Sequence, residues 1–264
     1  MKISVLCASR GNPSGLRTCM GALDALASGQ NEIKYTIVCD EDDWETKAAS
    51  VSLADSFIRP RGSLGGAWDY AAAKSPADVY ALVTDRSLVV RPYWDVCIAD
   101  AYKKDDRRVV WWTTNAGPVI PIVPEKWRQA AGQIYTDYFP FWFDDTWLQE
   151  VSAMVHGLPI YMVEAACFIH KKTPTTKRLR DLRFWMDFFI AKRPERTEHA
   201  KKIRESLGLP MPDIEPVEKW FRSNDEMWAL NWQKWEELMG DKSEPDETYI
   251  AAKKSAEEFM NGRS

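Results

Sequence analysis

The chain has 264 residues, with 35 Lys plus Arg against 39 Asp plus Glu, a formal charge of −4, and 45% hydrophobic residues including 13 Trp. That is globular composition: it excludes disordered and collagen-like chains and suits one large α/β domain or one domain with an appendage. No stretch approaches the roughly 18 apolar residues of a membrane span, and the apolar run at the start is too short for a signal-peptide core, so a cytoplasmic protein is expected. Five widely spaced cysteines, Cys7, Cys19, Cys39, Cys97 and Cys167, read as buried thiols, not as a disulfide framework or a zinc site.

Lys2 to Ala8 is an apolar run that reads as a first strand. Pro13-Ser14 opens a helix on which Leu16, Met20, Leu23 and Ala27 recur at helical spacing, ended by Gly29. Tyr35 to Cys39 is a second buried strand, followed by the acidic run Asp40-Glu41-Asp42-Asp43. Ser56 to Arg59 is a short third strand. Gly62-Ser63 leads into a helix with Leu64, Ala67, Trp68 and Ala71 on one face. Val79 to Val83 is a fourth strand, which Leu88 to Val90 continues after a break. This alternation is that of a parallel sheet covered by helices, whose ligands bind at the carboxyl ends of the strands. The polar residues expected there are Ser9, Arg10, Asp40, Asp42, Arg61 and Asp85.

Further on, Val109 to Trp112 and Val119 to Val123 are strand-like, with Pro121 pointing to a sheet edge. Trp127 to Ala131 is a short helix ending at Gly132. Asp144 or Asp145 caps a helix that runs through Val151 and Val155 to Gly157. Pro159 to Ile169 is a long apolar strand ending on His170. From about Thr176 the pattern is helical, broken at Pro194, at 208–216 and at 240–245. There is no internal repeat.

The charge is unevenly spread. Residues 171–204 carry 12 Lys or Arg against four Asp or Glu, a local +8, while 205–264 carry −7 and 1–170 carry −5. The mild overall acidity argues against a chain coated all over with nucleic-acid-binding charge, yet the basic block suits either a solvated helix face or an anion site for phosphates.

Five groups of residues carry possible chemistry. Asp85, emerging from a buried strand, is either a turn-forming carboxylate or a ligand for a divalent metal that carries a diphosphate. His170 is either structural or, beside Lys171-Lys172, placed for metal or phosphate. Asp144-Asp145, after an aromatic run, is either a helix N-cap pair or a pair in which one carboxyl has the raised pKa of a general base. One carboxylate of Asp40 to Asp43 suits hydrogen bonding to a nucleoside, in what is otherwise a solvated loop. Arg59 to Gly66, with Arg61 and Gly62, combines cations, flexible backbone and a helix start, which suits an anionic phosphate. No Walker loop, GxGxxG fingerprint, Ser-His-Asp elbow or CxxC pair is present.

Taken in order, these positions resemble a GT-A fold glycosyltransferase, closest to the family 2 type, over about residues 1–172. Ile3 to Arg10 resembles the first strand and nucleotide loop, and Tyr35 to Asp40 the second strand with its nucleoside-binding Asp. Gly62 to Ala73 resembles the helix before the metal motif. Ala81 to Ser87 falls at the DXD motif, Phe143 to Trp147 at the catalytic acidic pair, and His170 at a C-terminal metal ligand. The resemblance implies an α/β, Rossmann-like, mostly parallel sheet flanked by helices in a catalytic domain over 1–172. A basic then acidic helical extension, 173–264, would pack on it. It implies a nucleoside-diphosphate sugar donor, UDP-linked by preference, bound by Ser9, Arg10, Asp40, Asp42, Arg61, Gly62, Asp85, Arg86, Lys171 and Lys172. Transfer to an acceptor hydroxyl would be inverting, with Asp145, or else Asp144, as general base. A DXD motif has two acids, and Thr84-Asp85-Arg86-Ser87 has one. Either Asp85, His170 and the diphosphate hold Mn or Mg, or Arg86 partly substitutes for the metal. The acceptor reading joins the basic block to Phe184, Trp185, Phe188 and Phe189: cations interleaved with aromatics suit a nucleic acid with a hydroxymethylated base, as for a phage-type DNA-modifying enzyme. The same aromatics equally suit packing of the C-terminal helices. A sugar nucleotidyltransferase and a non-catalytic nucleotide-binding or scaffold domain are the rival readings.

Overall fold

The computed structural model describes residues 1–115, 117–140, 143–170, 181–239 and 247–262. They fall into two compact units, one of residues 1–135 and 160–175, the other of 136–159 and 176–264. The segment 136–159, expected within a domain ending at 172, thus groups with the C-terminal helices. No described helix is long and apolar enough to cross a membrane.

The first unit holds, in chain order, β1 (Lys2–Ser9), α1 (Pro13–Ala25), β2 (Glu32–Asp40), α2 (Trp44–Ser50), β3 (Asp55–Arg59), α3 (Leu64–Lys74), β4 (Val79–Thr84), β5 (Ser87–Val89), α4 (Trp94–Lys104), β6 (Val110–Thr114), β7 (Pro121–Pro124) and α5 (Glu125–Ala131). After α6 (Asp144–His156), which belongs to the second unit, the chain returns as β8 (Met162–His170). The strand order is β3-β2-β1-β4-β7-β6-β8-β5. β1 pairs in parallel with β2 (Cys7 opposite Ile37) and with β4 (Cys7 opposite Val83), and β2 pairs in parallel with β3. β7 is antiparallel to both β4 and β6, β6 is parallel to β8, and β5 is antiparallel to β8. The result is the mixed, mostly parallel α/β sheet expected, flanked by helices.

Local chemistry sets the helix starts. Asn12 caps α1 by accepting the Gly15 N–H at 3.1 Å, and Pro13 fills the first helical position, where its missing N–H costs nothing. Asp43 caps α2 through the Thr46 N–H, and Ser63 caps α3 through the Gly66 N–H. α5 ends at Gly132, whose φ of +81° is the left-handed conformation a helix stop requires. The tryptophans build the interior. Trp94, Trp111, Trp112 and Trp127 are fully buried, and the ring N–H of Trp94 and of Trp112 donates to the carbonyls of Leu23 and Leu82. Cys7, Cys19 and Cys39 are buried free thiols, and Cys97 is free and half-buried.

Several expectations need correction. Leu88 to Val90 does not continue β4: β5 lies at the opposite end of the strand order, paired with β8. In a flat sheet four strand spacings of about 4.8 Å would separate β4 from β5 by ~19 Å. Three residues from Thr84 to Ser87 reach at most ~11 Å. The sheet therefore curls, and Asp85-Arg86 is the link that closes the curl. Pro121 does not mark an edge, because β7 pairs on both sides. It is tolerated as the first residue of the strand, opposite Trp111 and beyond the reach of β4. Leu64 is 43% exposed, while Gly65, Ala67, Trp68, Ala71 and Ala72 form the buried face of α3. Ala27 lies beyond α1. The reading in chain order passes over two helices. α2 is short and polar, and α4 has Trp94, Ile98 and Tyr102 at helical spacing among charged residues.

The second unit contains α6, α7 (Leu182–Ala191), α8 (Arg193–Ser206), α9 (Ile214–Met239) and α10 (Glu247–Asn261). Pro194 sits in the first turn of α8 and so starts a helix as well as marking a break. Neither Asp144 nor Asp145 caps α6. The cap is Phe143, in the left-handed region at φ +69°, and both aspartates occupy the first turn. A non-glycine residue there is strained. Packing holds it: Phe143 is buried, stacked on Phe189 at 4.9 Å and edge-on to Trp228 at 5.1 Å.

Candidate functional site

The strand order places β2 and β3 on one side of β1 and β4 on the other, so the topology switches between β1 and β4. Open α/β sheets bind ligands at the carboxyl ends of the strands at such a point. There the residues following β1 and β4 meet. The Ser9 hydroxyl donates to Asp85 Oδ2 at 2.7 Å, and the Arg10 backbone N–H donates to the same oxygen at 3.2 Å. The Asn12 side chain donates to the Asp85 carbonyl at 3.3 Å. Asp85 is buried, and burial raises its carboxyl above the ordinary value even though Ser9, Arg10 and Asn12 pull it down. α1 approaches so closely that a Cβ on Gly15 would lie 2.4 Å from the Asp85 carbonyl oxygen, which explains the bare glycine in its first turn.

The Arg10 side chain reaches across to the end of β2. It donates to Asp40 Oδ2 at 3.0 Å and binds both oxygens of Asp42, with Nη2 at 2.7 Å from Oδ2. Arg59, at the end of β3, lies 3.6 Å from the other Asp40 oxygen. Burial still raises the Asp40 carboxyl against these two cations, whereas the Arg10 hydrogen bond holds the exposed Asp42 carboxyl below its ordinary value. Arg61 adds a smaller downward pull on Asp42. Gly62 lies against the Arg59 guanidinium, where a Cβ would come within 3.1 Å of it, and Arg59 in turn donates to the Ser63 carbonyl at 2.5 Å. Thus Ser9, Arg10, Asp40, Asp42, Arg61 and Asp85, separated by up to 76 residues, form one polar cluster at the sheet end. Arg86 is half-buried beside it. Burial lowers its guanidinium below the ordinary value and the Asp85 charge opposes that.

Two further residues join the cluster, Asp43 from the acidic run already singled out and Asn12, which was not. Asp43 accepts the Gly11 N–H at 2.6 Å while capping α2, and Asn12 caps α1 while holding Asp85. The Asn12-Pro13 pair is a helix-start signature that marks Asn12 in the sequence. The acidic run therefore does three jobs, since Asp40 and Asp42 pair with arginines while Asp43 both organises the loop after β1 and caps α2.

Other expected residues lie elsewhere. Asp144 and Asp145 belong to the second compact unit, where Asp145 Oδ1 accepts the Thr146 N–H at 2.8 Å. The strand β8 ends at His170, whose side chain lies outside the described residues, as do Lys171 and Lys172. Among the described residues no three His, Cys, Asp or Glu side chains converge as a metal site would require. Asp85, the one acid at the DXD position, already accepts two donors on one oxygen. Among the described residues this donor set, a single carboxylate, does not fit a divalent ion.

Three of the four aromatics of the basic block are interior, and the fourth, Phe184, is half-buried. Trp185, Phe188 and Phe189 are buried, each in contact with Phe139, and Trp185 donates to the Tyr249 hydroxyl. They are closed to stacking with bases, and the packing reading holds for them. Lys192, Arg193 and Arg196 pair with Glu195, Asp225 and Glu150. The cations between 171 and 180 lie outside the described residues.

No protein-family profile matches the chain, and no curated protein sequence does. Solved structures do. S. aureus TarS 1–349 is similar with a TM-score of 0.53 at 10% identity, over 78% of this chain and 70% of that one. Its complex with UDP-GlcNAc gives 0.53 at 11% identity, over 78% and 72%. Glucosyl-3-phosphoglycerate synthase from Mycobacterium tuberculosis, in complex with Mn2+, UDP and phosphoglyceric acid, gives 0.53 at 12% identity, over 79% of both chains. The likeness shows that the chain has the GT-A fold.

Proposed function

We propose that this GT-A fold chain is a glycosyltransferase that moves a sugar from a nucleoside-diphosphate sugar to an acceptor hydroxyl. The observation that carries the proposal is the meeting of Ser9, Arg10 and Asp85 at the switch point of the sheet, with Asp40 and Asp42 at the neighbouring strand end. The leaving group of such a transfer is a diphosphate that gains negative charge as its bond to the anomeric carbon breaks. Cations and N–H donors already oriented there stabilise the transition state more than the ground state. Arg10, Arg59 and Arg61 supply the cations. Asp40, buried and shared between Arg10 and Arg59, suits accepting a hydrogen bond from the nucleoside. The complexes of the structural neighbours with UDP and UDP-GlcNAc favour a uridine donor.

The acceptor hydroxyl is a weak nucleophile and needs a base. The resemblance assigns that role to Asp145, with inversion at the anomeric carbon. General-base catalysis is typically worth about 10²–10⁴-fold, so Asp145→Asn is expected to lose turnover by that factor while UDP binding stays unchanged. The deciding assay incubates the protein with UDP-, GDP- and TDP-sugars and measures release of the nucleoside diphosphate. Release from one of them is the expected result. Release of pyrophosphate on supplying a nucleoside triphosphate and a sugar phosphate would instead identify a nucleotidyltransferase. No release from any donor would overturn the assignment.

A further inference from the structure

The turn after β4 departs from its expected pattern in one residue, and that departure has a chemical consequence. Its own hydroxyls fix the turn. The Thr84 N–H donates to Ser87 Oγ at 3.3 Å, the Thr84 and Ser87 hydroxyls lie 3.1 Å apart, and the Arg86 N–H donates to Thr84 Oγ1 at 3.4 Å. Within this fixed turn Asp85 faces back toward β1. Its Oδ2 takes the Ser9 hydroxyl and the Arg10 N–H, leaving one carboxylate where a divalent ion would want several oxygen ligands. The next side chain is a guanidinium.

A divalent ion at this turn would find one carboxylate, two of whose acceptor positions are already taken on Oδ2, and it would meet Arg86 as a like charge. A diphosphate has the opposite requirements. A guanidinium presents parallel N–H donors that match two phosphate oxygens at once, and it keeps its charge at every relevant pH. In the surrounding cluster, arginines (Arg10, Arg59, Arg61, Arg86) are as numerous as aspartates (Asp40, Asp42, Asp43, Asp85). The two signs balance, so an incoming anion does not meet a net negative charge there.

We infer that Arg86 takes the place of the divalent ion at this turn and binds the diphosphate of the donor directly, so that the chain binds nucleoside diphosphates without metal. The inference rests on the donor-binding reading above. It assigns to Arg86 the charge compensation that a second acid and its metal would otherwise give.

Calorimetric titration of UDP into the full chain, once in excess EDTA and once in saturating MnCl2, tests it, with GDP and TDP as further probes. The expected result is a Kd in EDTA within about threefold of that in Mn2+. Arg86→Ala is expected to weaken UDP by about tenfold or more, the worth of one charge-assisted contact, and to leave uridine binding unchanged. Arg86→Lys should fall between, because it keeps the charge and loses the fork. Binding that appears only with Mn2+ overturns this inference and leaves the transferase reading standing. So does equal UDP affinity in a folded Arg86→Ala protein. Absence of binding by every nucleoside diphosphate in both conditions overturns the reading itself. Should Arg86→Ala fail to fold, the comparison of EDTA and Mn2+ on the unaltered chain still decides.

Discussion

Each compact unit contains an arginine clasped by carboxylates, and the two clasps differ in one physical respect. Arg10, with Asp40 and Asp42, keeps about a third of its side chain exposed, and Asp42 nearly half. Arg196 and Glu150, 2.8 Å apart, have no exposure at all. Arg196 lies over Phe189 at 3.8 Å and Trp147 at 5.1 Å, and it donates to the Phe189 carbonyl. Water can replace either partner of Arg10, so a ligand can too. Nothing replaces the partners of Arg196 without opening the helices around it. The same residue types therefore serve exchange in one place and architecture in the other, and burial decides which.

The largest test of that contrast is Arg196→Met. It leaves Glu150 buried without its cation, so that the carboxyl must take up a proton or stay as an unpaired charge, and denaturant unfolding at pH 8 should show a loss of about 3–5 kcal/mol. The paired change Glu150→Leu with Arg196→Met removes both charges and should recover most of that loss. A single variant as stable as the original would place the pair on the exchangeable side.

The second test is pH. Burial raises Glu150 from 4.5 to about 7 despite Arg196. Over that window the folded state holds the proton more tightly than the unfolded state does. The group therefore favours folding most at low pH and loses that advantage as pH rises toward 7, by at most about 1.4 kcal/mol per pH unit. Unfolding of Glu150→Gln measured between pH 5 and 7.5 should lack that part of the slope.

Smaller effects belong to the first unit. Asn12→Ala removes the cap of α1 and one donor to the Asp85 turn, and should lower stability by ~1 kcal/mol. Arg10→Ala should change stability by under about 1 kcal/mol, as exposed pairs do, while weakening UDP binding. A stability loss as large as that of Arg196→Met would erase the distinction between the two clasps.

Much of the first unit was legible because its signals are local. Apolar runs ended by Ser9, Asp40 and Asp85 announce strands with polar carboxyl ends, and Pro13-Ser14 announces a helix. α2 was hidden because its seven residues carry little apolar periodicity, and the position of β5 because pairing partners are not written in a short run. In the second unit the periodicity of α7 to α10 was readable. That Trp185, Phe188 and Phe189 pack inward, and that they close on Phe139, was not decided there, since basic residues between aromatics suit a surface and a packed helix equally.

By itself the sequence determined the alternation of strands and helices, and hence a parallel sheet with polar residues at its carboxyl ends. Hydrophobic period and capping act over a few residues, and a single chain displays them. Only the tertiary structure decided that Asp85 turns to Ser9 and Arg10, that Arg10 spans to Asp40 and Asp42, and that residues 136–159 join the C-terminal helices. Those outcomes depend on which distant groups remain unsatisfied once the core has formed. A buried carboxylate takes the nearest donors that the packed backbone brings to it, whatever their distance along the chain.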